Sequence, residues 1–479
     1  MTRPARLLIS LRLVSAIVVA IPAVGLGAAT FWQGLAEPGG MSLDRMFHLS
    51  LGLALFVLFA EFAVSIIRSR ASATIIALGL GGFLAAALAA IVAELLGPPA
   101  LLILVIAVSV WAVVLARTTL EGGDAGSEVQ PRQLELHYFT GTGNTYRVAS
   151  WIAAAAKRRG IESALVRIDT RETDAVTGIS DSADHRTLGI LTPTHGFTAP
   201  WAVVAYAATV PGVRGADVFA LATRAGWYVG PLRLPGFEGT AAWLLALILM
   251  LRGGRLVGVA AIDMPSNWTA LHPGMNAGHI ATIVEKAQAK TDVFAGRLLS
   301  DQIRLGGLLE LAGGLVLIPV SLGYVVFARK LLGKLFFADE RCTSCGLCAR
   351  MCPLDAVRMS GSPPKRPYWT FGCESCMRCM NICPEEAIQA SWVGAIAQTA
   401  VLLAATEYVA GIAVIVGVAK TSWVVSVLGA VILFALTGAT YHVVWVLGRS
   451  RTVAWLLGHA TPTRLYRRYR EPGTDLRDV

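Results

Sequence analysis

The sequence predicts a multi-domain membrane protein. Helical spans stand at both ends, a doubly wound parallel α/β sheet lies between them, and a small cysteine-bearing α+β domain follows the sheet. Three observations predict it. Hydrophobic residues make up 55% and charged residues 15% of the 479 positions, and mean hydropathy is +0.61, far from a soluble average. Residues 131–293 are mixed in polarity and alternate strand-like with helix-like runs. All eight cysteines fall in one block, in two copies of one pattern. The length suits about three domain-sized units.

Apolar runs long enough to cross a bilayer occupy residues 11–30, 49–67, 73–96 and 99–117, then 394–418 and 423–447. Basic residues precede the first run, as in a signal peptide, but three further spans follow at once and favour an uncleaved anchor. The net charge of +10 invites a nucleic-acid reading. The arginines, however, cluster beside apolar segments, at Arg3, Arg6, Arg12, Arg68, Arg70 and Arg117 and from Arg449 to Arg470. Positive-inside placement explains that pattern, so the partner is membrane lipid and no nucleic acid is expected. The same rule places residue 118 onward, and the tail, on the cytoplasmic side of an inner membrane crossed several times.

The expected organisation is therefore a transmembrane region over 1–118, a sheet domain over 131–293 and connecting helices over 294–338. The cysteine domain over 339–391, a transmembrane hairpin over 392–448 and a basic tail over 449–479 complete it. Leu305 to Ala328 has the length to cross, but Glu310 and Pro319 interrupt it. A crossing there would also part the two middle domains, so it reads as a buried or interface-lying helix. Ionisable groups at membrane depth are costly and mark candidate proton or quinone sites, here Glu61, Glu94 and Glu407, with His48 and His442 near span ends. No histidine pair at helical spacing points to haem.

Strands are expected at Leu134–Phe139, Ala164–Ile168, Thr187–Pro193, Val218–Thr223 and Leu256–Ile262, with helices at Asn144–Arg159 and Gly239–Leu251. The last is too short to span and reads as a cover for the sheet.

The cysteine copies are Cys342-x-x-Cys345-x-x-Cys348-x-x-x-Cys352-Pro353 and Cys373-x-x-Cys376-x-x-Cys379-x-x-x-Cys383-Pro384. An iron–sulfur cubane needs four converging thiolates. Three come from one C-x2-C-x2-C turn and the fourth from the other copy. Two [4Fe–4S] clusters follow, one on Cys342, Cys345, Cys348 and Cys383, the other on Cys373, Cys376, Cys379 and Cys352. Each proline keeps the preceding helix from running on. Structural zinc sites use paired knuckles without a third cysteine at this offset. No cysteine is left for a disulfide. Residues 340 to 390 closely resemble bacterial two-cluster ferredoxins.

Directly after the first strand, Thr140-Gly141-Thr142-Gly143-Asn144-Thr145 opens a helix. Glycines permit the turn, hydroxyls donate, and the helix N-terminus offers amides to a phosphate. A P-loop would need a lysine here, and a dinucleotide fingerprint a third glycine where Tyr146 stands. A Thr/Gly-rich loop without a basic side chain resembles the FMN-phosphate loop of flavodoxins. The third strand ends in Pro193-Thr194-His195-Gly196-Phe197 and the fourth in Thr223-Arg224-Ala225-Gly226-Trp227-Tyr228. Both stand where flavodoxins place the loops that flank the isoalloxazine ring. Over roughly residues 131–390 the chain resembles proteins that fuse a flavodoxin-like domain to a two-cluster ferredoxin.

That resemblance implies FMN, with Thr140 to Thr145 on the phosphate and Thr194, Gly196, Phe197, Ala225, Gly226 and Trp227 beside the ring. It implies electron transfer between the two [4Fe–4S] clusters and FMN, linking a low-potential donor protein to a soluble or quinone-like acceptor. No residue is assigned a catalytic role. The alternative is an iron–sulfur redox or oxygen sensor that signals through its helices, and a sensor has no need of a second, flavin-type centre.

Overall fold

The computed structural model describes residues 133–169, 186–229, 232–300, 302–415, 423–472 and 474. The four N-terminal spans, with His48, Glu61 and Glu94, lie outside the described residues. The chain divides into two compact units, one of Met1–Glu128 with Gly307–Leu317 and one of Val129–Gly306 with Ile318–Val479.

The second unit begins with β1 (Gln133–Tyr138), α1 (Asn144–Arg158), β2 (Glu162–Arg167), β3 (Arg186–Pro193), α2 (Trp201–Thr209) and β4 (Asp217–Val229). It continues through β5 (Leu232–Leu234), α3 (Ala241–Leu251), β6 (Arg255–Pro265), α4 (Ala277–Leu298) and β7 (Arg304–Leu305). The strand order is β2-β1-β3-β4-β6-β7, every pair on this path being parallel, and β5 pairs β4 antiparallel. That is the flavodoxin-like doubly wound order, with its switch point between β1 and β3.

Side-chain alternation explains how β1 sits in this sheet. Leu134, Leu136 and Tyr138 join the core formed with Val148, Trp151 and Ile152 of α1 and Phe294 of α4. Glu135 and His137 take the other face. There the His137 Nδ1 meets the Tyr206 hydroxyl of α2 at 2.7 Å, and Arg186 donates to Glu135. The residues of β3 are buried almost throughout, as expected of a central strand covered on both faces.

Gly189 of β3 lies beneath the fully buried Phe219 ring, so close that an added Cβ would overlap it. Gly189→Ala is expected to destabilise the sheet by about 1–3 kcal/mol through overpacking. Thermal unfolding checks it, and Phe219→Leu in the same chain should restore part of the loss.

One strand differs from expectation. β4 was predicted to stop near Thr223 and hand over to a loop. Instead it runs to Val229, because Ala225 and Gly226 pair with Met264 and Pro265 of β6 and Trp227 pairs with Leu234 of β5. Ala225, Gly226 and Trp227 therefore lie in a strand and its hairpin.

Leu305–Ala328 is not one helix. It holds α5 (Leu308–Val316), the described part of the first unit, then α6 (Ile318–Gly323) and a π-helical turn, Tyr324–Ala328. Pro319 cannot donate an amide back across Leu317. After α7 (Arg329–Leu332) come β8 (Phe336–Ala338), α8 (Leu347–Arg350), β9 (Val357–Ser360), β10 (Arg366–Trp369), α9 (Arg378–Ile382) and β11 (Ile388–Ala390). β8 pairs β11 and β9 pairs β10, both antiparallel. Phe336, Trp369, Met380 and Ile388 fill the small core between them.

α10 (Trp392–Ile415), α11 (Trp423–Leu447) and α12 (Arg451–His459) follow. Among the described residues, Val427–Leu447 of α11 is the one stretch long and apolar enough to cross a bilayer, while in α10 the apolar stretch is Trp392–Val401. Glu407 is exposed on α10. His442 is exposed on α11, stacked on Trp445 with ring centroids 5.8 Å apart.

Candidate functional site

The two cysteine copies repeat one another in left-handed backbone positions as well as in sequence. Cys342 to Cys373 is an interval of 31 residues. At that interval Ser344 pairs with Ser375, Gly346 with Met377 and Asp355 with Glu386, and all six have positive φ. Left-handed backbone is costly for a side chain as bulky as Met377 (φ 63°), which is held in the core beside Cys373. The fold maintains it because these turns aim amides at sulfur. Ala356 N–H donates to Cys352 Sγ at 3.3 Å, and Ser375 N–H to Cys373 Sγ at 3.4 Å.

The thiols gather across the copies. Burial pushes the Cys348 thiol up to about 12, and its sulfur neighbours Cys342, Cys383 and Cys345 add to that. Burial likewise raises Cys383, whose sulfur neighbours are Cys342 and Cys345. Cys376 is pushed up to about 11 by burial and by Cys352, and Cys373, also raised, faces Cys376 and Cys352. Cys379 is raised by burial, then by Cys373 and Cys376. Four crowded, poorly solvated sulfurs cannot all ionise without a cationic centre among them, which suits a cluster. Among the described residues no group of three or more His, Cys, Asp or Glu closes round a single ion. Thiols around a cubane stand farther apart than that.

The second set is walled by residues that spacing did not mark. Gly333 sits against Cys373, where an added Cβ would come within 2.6 Å of the cysteine Cβ. Lys334 is buried in a cage of Tyr368, Phe371 and Tyr441, its Nζ 4.3–4.8 Å from the ring centroids, and it donates to the Trp369 carbonyl. Burial brings its ammonium down to about 8. Glu374 pairs with Arg329 at 3.0 Å.

Arg378 ties the second cysteine turn to the sheet. It is 1% exposed, and its guanidinium donates to the Gly141 carbonyl at 3.1 Å and the Thr140 carbonyl at 3.0 Å. Gly141 packs so tightly on the Cys376 carbonyl that no side chain would fit. The second cysteine turn thus rests on the carboxyl edge of the sheet.

Of the residues expected around a flavin phosphate, Thr140 to Thr145 do form one loop at the N-terminus of α1, with Gly143 left-handed (φ 99°). Their side chains are already engaged. Thr140 Oγ1 accepts from Gly143 N–H, and Thr142 Oγ1 accepts from Asn267. Asn144 donates to the Pro265 carbonyl, and Thr145 meets Thr223. The tail, expected as a basic cytoplasmic segment, closes over them. Tyr469 donates to Asn144 Oδ1 at 2.7 Å, and Glu471 N–H donates to the Thr142 carbonyl at 2.9 Å.

The residues expected beside a flavin ring stand at the carboxyl ends of the paired strands β3 and β4, each with neighbours of its own. Thr194 is hydrogen-bonded through its amide to Thr223, while its buried Oγ1 has no partner. Gly196 lies under the Tyr324 ring, and its carbonyl accepts from Ser321. Tyr324 also meets His195 Nδ1 at 3.2 Å, and burial lowers that imidazole to about 4, so it is neutral. Phe197 packs edge-on against Phe237, and Trp227 against His272.

Residues 336–358 match the family model for a 4Fe-4S binding domain. The matched segment carries Cys342, Cys345, Cys348 and Cys352 and identifies this block as an iron–sulfur-binding, ferredoxin-type segment. A flavodoxin-like sheet and a ferredoxin-type 4Fe-4S binding domain thus share one chain. No curated protein matches.

Among solved structures, the chain is similar to rubredoxin oxygen:oxidoreductase from the anaerobe Desulfovibrio gigas. That match has 12% identity, covers 40% of this chain and 41% of that chain, and has a TM-score of 0.23. A flavodoxin from the domain Archaea matches at 12% identity, over 35% of this chain and 98% of that one, with a TM-score of 0.23. Two-electron reduced Megasphaera elsdenii flavodoxin matches at 25% identity, over 33% and 98%, with a TM-score of 0.20. The chain spans less than half of the first of these proteins. Strand order, not these scores, carries the fold assignment.

Proposed function

We propose that this chain is a membrane-anchored electron-transfer protein holding two [4Fe–4S] clusters and, at the sheet edge, FMN. Each cubane exchanges one electron and the flavin one or two, so together they convert between single-electron and paired-electron chemistry. The observation that supports the reading is electrostatic: Cys383 interacts with Cys342, Cys345 and Cys348, and Cys352 with Cys373 and Cys376, as an exchange of the fourth cysteines requires.

The chain's own residues do the rest. Serine and alanine amides donate to the sulfurs and favour the more negative, reduced state. Arg378 fixes the second cysteine turn against the strand ends, which keeps any transfer between the two centres short. Support for FMN is the donor set of α1's first turn together with the unpartnered Thr194 hydroxyl. The acceptor would be quinone-like or a soluble protein. The anchor would be the α10–α11 hairpin in an inner membrane, with the redox domains on the cytoplasmic face.

Anaerobic purification in detergent, with iron counted and spectra recorded, tests the reading. About eight irons per chain and electron delivery from a reduced low-potential donor to a quinone or a soluble acceptor are expected. A chain that binds zinc instead, or holds its clusters without passing electrons on, overturns it. The second outcome would favour the sensor reading.

A further inference from the structure

We propose that the tail blocks the flavin-phosphate cradle: the backbone and Cβ of Glu471 cover the loop at the N-terminus of α1, and FMN and the docked tail exclude one another. This rests on the flavin reading given above. Four observations converge on it. The first-turn amides of α1 have no partner within their helix and carry its positive end. Glu471 is 2% exposed, and its Cβ lies 2.8 Å from where a Cβ on Gly143 would stand. Its Oε1 is buried without a hydrogen bond, 3.5 Å from Arg147 Nε in the first turn of α1, while Oε2 accepts from Thr474.

The fourth observation is that the tail is bound along its length. Arg467 N–H donates to the Pro273 carbonyl, and Tyr469 N–H to Asn381 Oδ1. Arg468 donates to the Ile388 carbonyl. The docked carboxylate, with Oε1 unbonded and Oε2 held by Thr474, leaves the α1 amides for a phosphate dianion, which brings more charge and three acceptor oxygens. The tail is therefore displaceable by the right anion, and the flavin site opens only when it leaves.

The test uses the full cluster-loaded chain in detergent, with Glu471→Gln and a chain shortened by residues 466–479 alongside. FMN binding is read by fluorescence quenching. Tail release is read by trypsin cleavage at Arg467, Arg468 and Arg470. Riboflavin and inorganic phosphate are the controls. Both altered chains should bind FMN at least about tenfold more tightly, about 1.4 kcal/mol. In the unaltered chain FMN, but not riboflavin, should speed cleavage of the tail. Equal FMN affinity in all three chains, with cleavage unchanged, overturns the inference and leaves the flavin reading standing. Failure of FMN to bind even the shortened chain overturns both.

Discussion

Replacing Cys352 with serine is expected to remove the iron of the second motif and spare that of the first. Cys352 belongs by sequence to the first copy, and its neighbours along the chain are the first-motif cysteines. In the fold, however, its thiol interacts electrostatically with Cys373 and Cys376. Cys352 is buried, and its Sγ accepts from the Ala356 amide. With the two clusters proposed above, iron should fall from about eight to about four per chain. The remaining paramagnetic signal should match that of Cys376→Ser and differ from that of Cys345→Ser. A spectrum matching Cys345→Ser instead would refute the exchanged arrangement. Cys383→Ser should give the mirror result, because Cys383 stands with Cys342, Cys345 and Cys348.

Replacing Arg378 with methionine should uncouple the 4Fe-4S domain from the sheet. The guanidinium is buried, burial lowers its pKa below the usual arginine value, and it holds the carbonyls of Thr140 and Gly141. Methionine fills similar space but strands both acceptors in a dry interface, at about 1–3 kcal/mol each. The expected outcome in calorimetry is a single unfolding transition becoming two, with the seam newly open to protease. Arg378→Lys should fall between, since a lysine lacks the planar fork that reaches two carbonyls at once. An unchanged melting profile for the methionine variant would mean that the seam is held elsewhere.

These two residues mark what could be read from the chain and what could not. The cysteines were legible because cluster geometry imposes short, fixed spacings, and the strands of the sheet because burial imposes alternation and apolar runs. The Thr140–Thr145 loop was legible as a strand-to-helix turn. Its covering was not. Arg378 and Gly141 are far apart in sequence, as are Tyr469 and Asn144, and no local pattern announces such a contact. Nothing in the sequence marks Lys334 or Arg378 as buried, since a buried cation is distinguishable only once its cage of rings or carbonyls is known. The tail's arginines suggested solvent or lipid, yet Arg464 pairs with Glu340 and Arg468 bonds the chain's own backbone. β4 outran its predicted end because its continuation is specified by partners in β5 and β6, not by its own residues.

The repeat that generates the two cysteine turns would, alone, give a module with interchangeable halves. Here one half is pressed on the strand ends and enclosed by Tyr324, Glu374 and Lys334, while the other keeps Cys345 at the surface. Twins in sequence have become inequivalent in position. Among the described residues Cys345 is the one exposed cysteine of the eight, so the two halves of the repeat differ in access and the first turn is the more open.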